Sequence, residues 1–195
     1  SVVFFLFVIS LFALKGDFKK WVIISIILSV MLAWGKNFMF LTDLFLEHFP
    51  GYNKFRAVST ILVIAELLIP LLAFYCLNVI LFTKNNFNFN LIKKSFYISG
   101  GICALFFVFP SLLVDFSSLK DNNIPADYLG LISSLELDRI ALAKKDSFRS
   151  LVFISFCFGI FYLFHKKTIK VNYLIVGVGL LILFDMWSVN KRYLD

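Results

Sequence analysis

Five ionisable residues stand at positions where an otherwise apolar chain has little need of them: Lys54, Arg56, Glu66, Arg149 and Asp185. In "FPGYNKFRAVSTILVIAELLIP" a Pro-Gly turn runs into Lys54 and Arg56, then into an apolar stretch that carries Glu66. A guanidinium at the start of a helix adds bidentate donors to the positive end of the helix dipole. That combination suits a phosphate group, and Lys54 adds charge to it. The plainer role for Arg56 is to snorkel toward lipid headgroups while its stem covers apolar surface. Ser59, Val63, Glu66 and Pro70 recur at helical spacing, so Glu66 shares a face with them. A carboxylate at membrane depth is costly unless paired or protonated, and should face protein or a wet cavity. It is either a neutral acid bonded to a neighbouring helix or a site residue. Arg149 opens an apolar stretch as Arg56 does. Asp185 ends one, beside Trp187, and is placed to tie helices by pairing with Arg56 or Arg149.

The elements that position these residues follow from composition. The chain of 195 residues is 61% hydrophobic and 18% aromatic, with 26 phenylalanines and a mean hydropathy of +0.90. Soluble domains are about 45–50% apolar, so a membrane protein is expected. Polar breaks leave six apolar segments: 1–14, 21–35, 57–82, 95–114, 149–164 and 172–188. The fold class expected is an all-α transmembrane bundle of about six spans, a single domain over 1–195. The first segment would reach about 21 Å, short of a hydrocarbon core of about 30 Å. It lacks the basic start and the cleavage site of a signal peptide. It therefore reads as a span cut at its outer end, in a fragment of a longer membrane protein.

Charge orients the segments. "KGDFKK" (15–20), "TKNNFNFNLIKK" (83–94) and "HKKTIK" (165–170) hold nine lysines against one acid, Asp17, while the remaining charges nearly cancel. Lysine-rich turns face the cytoplasm, which puts the loops 36–56 and 115–148 and the C-terminus outside. Each outer loop carries an amphipathic pattern. Phe38, Leu41, Leu44, Phe45 and Phe49 predict an interfacial or re-entrant helix. Tyr128, Ile132, Leu135 and Leu142 predict a second, lying on the outer surface and ending in Asp138, Arg139, Lys144, Lys145, Asp146 and Arg149. That mixed cluster reads first as a solvated face.

Other chemistry has little support. Cys76, Cys103 and Cys157 lie singly in apolar runs, and His48 and His165 lie in different loops, so no metal site is expected. Nucleotide, zinc-protease and serine-hydrolase motifs are missing. No cofactor is implied. The lysines sit in turns without an aromatic-lined groove, which argues against nucleic acid as a partner.

"FPGYNKFRAVSTILVIAELLIPLLA", "LDRIALAKKDSFRSLVFI" and "FDMWSVNKRYLD" resemble the YfhO family of bacterial polytopic membrane proteins. The "NKFRA" segment and the D-x-W-x-V-x-K-R-Y-L ending carry the resemblance most specifically. Where the family often has proline after the first motif, this chain has Val58. The family is similar to GT-C glycosyltransferases, which take sugar from polyprenyl-phosphate donors at the outer face of the membrane. The resemblance implies the carboxyl-side part of such a membrane domain, in the bacterial cytoplasmic membrane, with the catalytic acid outside these residues. Partners would be the bilayer, a polyprenyl-phosphate sugar donor, and the other helices and outer domain of the full-length protein. Lys54, Arg56 and, less directly, Arg149 and Asp185 match its motifs. A transporter or flippase with Glu66 as coupling carboxylate, and a structural bundle without chemistry, are the rival readings.

Overall fold

The computed structural model describes residues 1–49, 58–82, 88–114, 116 and 129–194. Helices dominate, and no strand occurs among the described residues. They are α1 (Val2–Ala13), α2 (Asp17–Ala33), α3 (Met39–His48), α4 (Leu62–Phe82), α5 (Phe89–Val108), the short α6 (Pro110–Leu113), α7 (Leu129–His165) and α8 (Val171–Leu194). Among the described residues, four stretches are long and apolar enough to cross a membrane: Leu62–Phe82, Phe89–Val108, Ser133–His165 and Val171–Lys191. Within each apolar window only 17–22% of residues are buried inside the chain. Most of their surface therefore faces outward, as lipid-exposed helices require. Helical serines satisfy their hydroxyls on their own backbone: Ser25 donates to the Trp21 carbonyl, Ser95 to Leu91, Ser99 to Ser95 and Ser155 to Leu151. Such back-bonding lets a hydroxyl enter an apolar environment without an orphaned donor.

The residues cluster into two compact units, Ser1–Phe5 with Asn88–Asp195, and Leu6–Phe87. In the second unit, Val22, Ile26, Ser29 and Leu32 form the buried stripe of α2. The stripe of α4 is Ala65, Leu72, Ala73 and Cys76. Small residues in these stripes suit close helix packing. Gly16, at φ +112°, breaks α1 from α2. The Lys19 ammonium folds back to donate to the carbonyls of Leu11 and Leu14. A cation there satisfies the open carbonyls at the end of α1 and complements its dipole.

In the first unit α7 packs on both α5 and α8. Ring contacts fix α5 antiparallel to α7. Phe89 lies 4.5 Å from His165 and Phe96 4.5 Å from Phe158, while Phe107 lies 5.7 Å from Phe148. Ile154, Cys157 and Phe161 of α7 are fully buried, as are Leu174 and Val178 of α8. A Cβ placed on Gly177 would come 3.1 Å from Ile160 Cδ1, which marks the close approach of α7 and α8.

The first two segments are as short as expected, and later boundaries differ from the sequence expectations. The segments at 1–14 and 21–35 are helices of 12 and 17 residues, about 18 and 26 Å long, short of the hydrocarbon thickness. The outer loop at 115–148 does not end before the fifth segment. From Leu129 to His165 the chain is one helix of 37 residues, about 55 Å long. No glycine or proline stands between Asp146 and Leu151 to stop it, so the charged stretch and the apolar stretch share one axis. In 36–56, α3 forms where a helix was expected, but Leu44 and Phe49 of the predicted stripe are 45% and 61% exposed, and the neighbouring Phe40 is 78% exposed.

Candidate functional site: a polar cluster between three helices

Among the described residues, the concentration of polar groups inside apolar packing lies in the first unit, around Asp185. Leu174, Val178 and Asp185 recur at helical spacing and form the buried stripe of α8. Asp185 is only 5% exposed. A carboxylate so placed needs partners, since desolvation removes its water without return.

The start of α1 supplies them. The Ser1 main-chain nitrogen donates to Asp185 Oδ2 at 2.6 Å and the Val2 N–H donates to the same oxygen at 3.1 Å. The Ser1 hydroxyl lies 2.8 Å from both carboxylate oxygens. The Ser1 carbonyl accepts from the Phe5 N–H at 3.0 Å, so Ser1 shares in the hydrogen bonding of α1. Asp185 on the flank of α8 is thereby tied to the first residues of α1.

Arg149 approaches from α7. Its Nη1 donates to the Ser188 hydroxyl at 3.0 Å, and Ser188 in turn donates to the Asp185 carbonyl at 2.8 Å. Arg149 Nη2 lies 4.0 Å from Asp185 Oδ1, within Coulombic reach and beyond a hydrogen bond. Its Nε is buried and has no hydrogen-bond partner among the described residues. Among them the guanidinium is thus tethered at one nitrogen, attracted at a second and unused at the third.

The remaining sequence candidates fall elsewhere. Lys54 and Arg56 lie outside the described residues, as do Pro50 and Tyr52. Glu66 belongs to the second unit, on α4, where it is exposed. Its carboxylate has no hydrogen-bond or ion-pair partner among the described residues. Pro70, inside the same helix, lacks the N–H that would have bonded the Glu66 carbonyl. In the charged run of α7, Asp138, Lys144 and Lys145 are exposed, and Arg139 Nη1 donates to the Phe116 carbonyl at 2.8 Å.

Ser1 and Ser188 were not among the sequence candidates. Ser188 had a signal, since it follows Asp185 by one helical turn and so shares its face. Ser1 had none, because its role depends on where the end of α1 meets α8. On the opposite side of α8, exposed Leu180, Leu183, Phe184 and Trp187 line a shallow apolar depression of about 290 Å³. Among the described residues no group of three or more metal-ligating side chains occurs. Compared with known proteins, the chain matches no family model, no curated protein and no solved structure.

Proposed function

We propose that the described part of this chain is a membrane-embedded helical scaffold. In this reading Ser1, Arg149, Asp185 and Ser188 hold three helices in register and perform no chemistry of their own. One observation carries it: both Asp185 oxygens are occupied by donors from α1. A carboxylate so occupied is poorly placed to act as a general base, which must reach a substrate proton. A double-mutant cycle with Arg149→Ala and Asp185→Asn, read by unfolding in mixed micelles, tests this. A loss of stability in either single variant supports the scaffold. Unchanged stability in both single variants contradicts it.

A second reading is favoured by Arg149 Nε, buried without a partner among the described residues, beside an Nη2 that makes no hydrogen bond to any of them. A guanidinium with spare donors can donate to a phosphate oxygen. In this reading the chain is part of a YfhO-like glycosyltransferase of the GT-C type, in the bacterial cytoplasmic membrane. Six spans cross the bilayer, lysine-rich turns face inside, and the C-terminus lies outside. Lys54, Arg56 and Arg149 hold the phosphate of a polyprenyl-linked sugar at the outer border, and the catalytic acid comes from elsewhere in the full-length protein. Transfer of sugar to surface polymers in cells carrying Arg56→Ala or Arg149→Ala tests it. Lost transfer with normal protein levels and unchanged stability supports phosphate binding. Normal transfer in both variants rules it out.

A further inference from the structure

The antiparallel order of α5, α7 and α8 brings the start of α5, the end of α7 and the start of α8 to one end of the first unit. Five lysines gather there: Lys93 and Lys94 on α5, and Lys166, Lys167 and Lys170 in the α7–α8 turn. All five are exposed. Among the described residues none of them has an ion-pair or hydrogen-bond partner for its ammonium. The described acids of this unit, Glu136, Asp138, Asp146 and Asp185, all lie toward the other end of α7 and α8. Among the described residues of this unit the like charges therefore accumulate without a local counter-charge.

Aromatic rings order this end. Phe89 stacks on His165 with the ring planes 7° apart. Lys93 Nζ sits 5.4 Å over the Phe89 ring, and Lys166 Nζ sits 4.8 Å over Tyr162. Two ammonium groups are thus held against ring faces. The α7–α8 turn adds a further sign. Thr168 N–H bonds the Leu163 carbonyl at 3.0 Å, closing a Schellman motif whose left-handed residue is Lys167, at φ 58°. Glycine fills that position with less strain, and a cation stands there instead.

We propose that this end of the first unit is a docking site for the headgroups of acidic phospholipids in the bilayer that surrounds it. The chemistry is that of a basic cluster directly flanking membrane-spanning helices, which attracts anionic lipid at about a factor of five per lysine. The proposal concerns the end of the unit away from Arg149 and does not rest on either functional reading above.

The test uses the whole chain in neutral detergent, titrated with short-chain phosphatidylglycerol, short-chain phosphatidylcholine or inorganic phosphate, with binding read by native mass spectrometry. Preferential binding of phosphatidylglycerol is expected. Lys166→Gln with Lys170→Gln should weaken it about 25-fold without changing phosphatidylcholine adducts. Lys167→Gly separates charge from folding: it should raise the thermal midpoint in detergent, by relieving the left-handed residue, while weakening phosphatidylglycerol binding about fivefold. Equal binding of the two lipids overturns the proposal, as does inorganic phosphate competing at equal concentration. Undiminished phosphatidylglycerol binding in the folded Lys167→Gly and double variants overturns it too.

Discussion

Replacing Asp185 by alanine removes the acceptor on which three donors of α1 converge, the Ser1 nitrogen, the Ser1 hydroxyl and the Val2 N–H. It also removes the charge that faces Arg149 Nη2 at 4.0 Å. A buried donor left without its acceptor costs about 1–3 kcal/mol. The Ser1 hydroxyl can rotate to another acceptor, so two main-chain donors dominate the loss. The Arg149 pair adds little, because the side chain is 23% exposed and its distance exceeds a hydrogen bond. A loss of about 3 kcal/mol is expected for Asp185→Ala. Asp185→Asn keeps one acceptor oxygen and turns an NH₂ toward the other donors, so about half that loss is expected. The assay is reversible unfolding of the purified chain in mixed micelles with rising sodium dodecyl sulfate, followed by helical circular dichroism. A loss in Asp185→Ala smaller than in Asp185→Asn, or none in either, would refute the argument that Asp185 ties α8 to α1.

Three further outcomes follow from the packing. Gly177→Ala should be close to neutral in the same assay, because the Cβ meets only the flexible Ile160 Cδ1 and alanine favours the helix; Gly177→Leu should force α7 and α8 apart at a cost of about 1–3 kcal/mol. Phe161→Ala, at a fully buried site, should leave a cavity and cost about 3 kcal/mol, with the loss visible as a lowered detergent midpoint. Lys19→Met keeps the stem but loses the ammonium that closes the end of α1, so about 1 kcal/mol or less should be lost, measured by the same unfolding curve.

Periodicity and length carried the helices into view. The apolar stretches at 57–82 and 172–188 correspond to α4 and α8, since a long apolar run has few alternatives to a helix, even with Pro70 inside the first. The end of α7 was legible too, because His165, Lys166 and Lys167 interrupt the apolar run. Its beginning was not. The change from charged to apolar composition at Arg149 looked like an end of a helix, yet backbone hydrogen bonding follows propensity, and Lys144 to Ser150 are adequate helix formers. Asp185 stood out by its charge, and Arg149 was one of its two sequence-level partners. The distance between them, its tie to α1 and the unused Nε of Arg149 are products of helix register between segments far apart in sequence. No local pattern encodes that register. Arg56, the other partner considered, lies outside the described residues, as does Lys54.

The central claim is that α8 crosses the bilayer with the lysine-bearing end of its unit on one side and the Asp185 end on the other. Lys170 and Lys191 flank its apolar stretch. Lys170→Cys and Lys191→Cys, each in a background with Cys76, Cys103 and Cys157 changed to alanine, can be probed in sealed spheroplasts with a membrane-impermeant maleimide. The account predicts that Lys191→Cys is labelled from outside and that Lys170→Cys is labelled only after the membrane is opened. Labelling of both positions from the same side of a sealed membrane would contradict it.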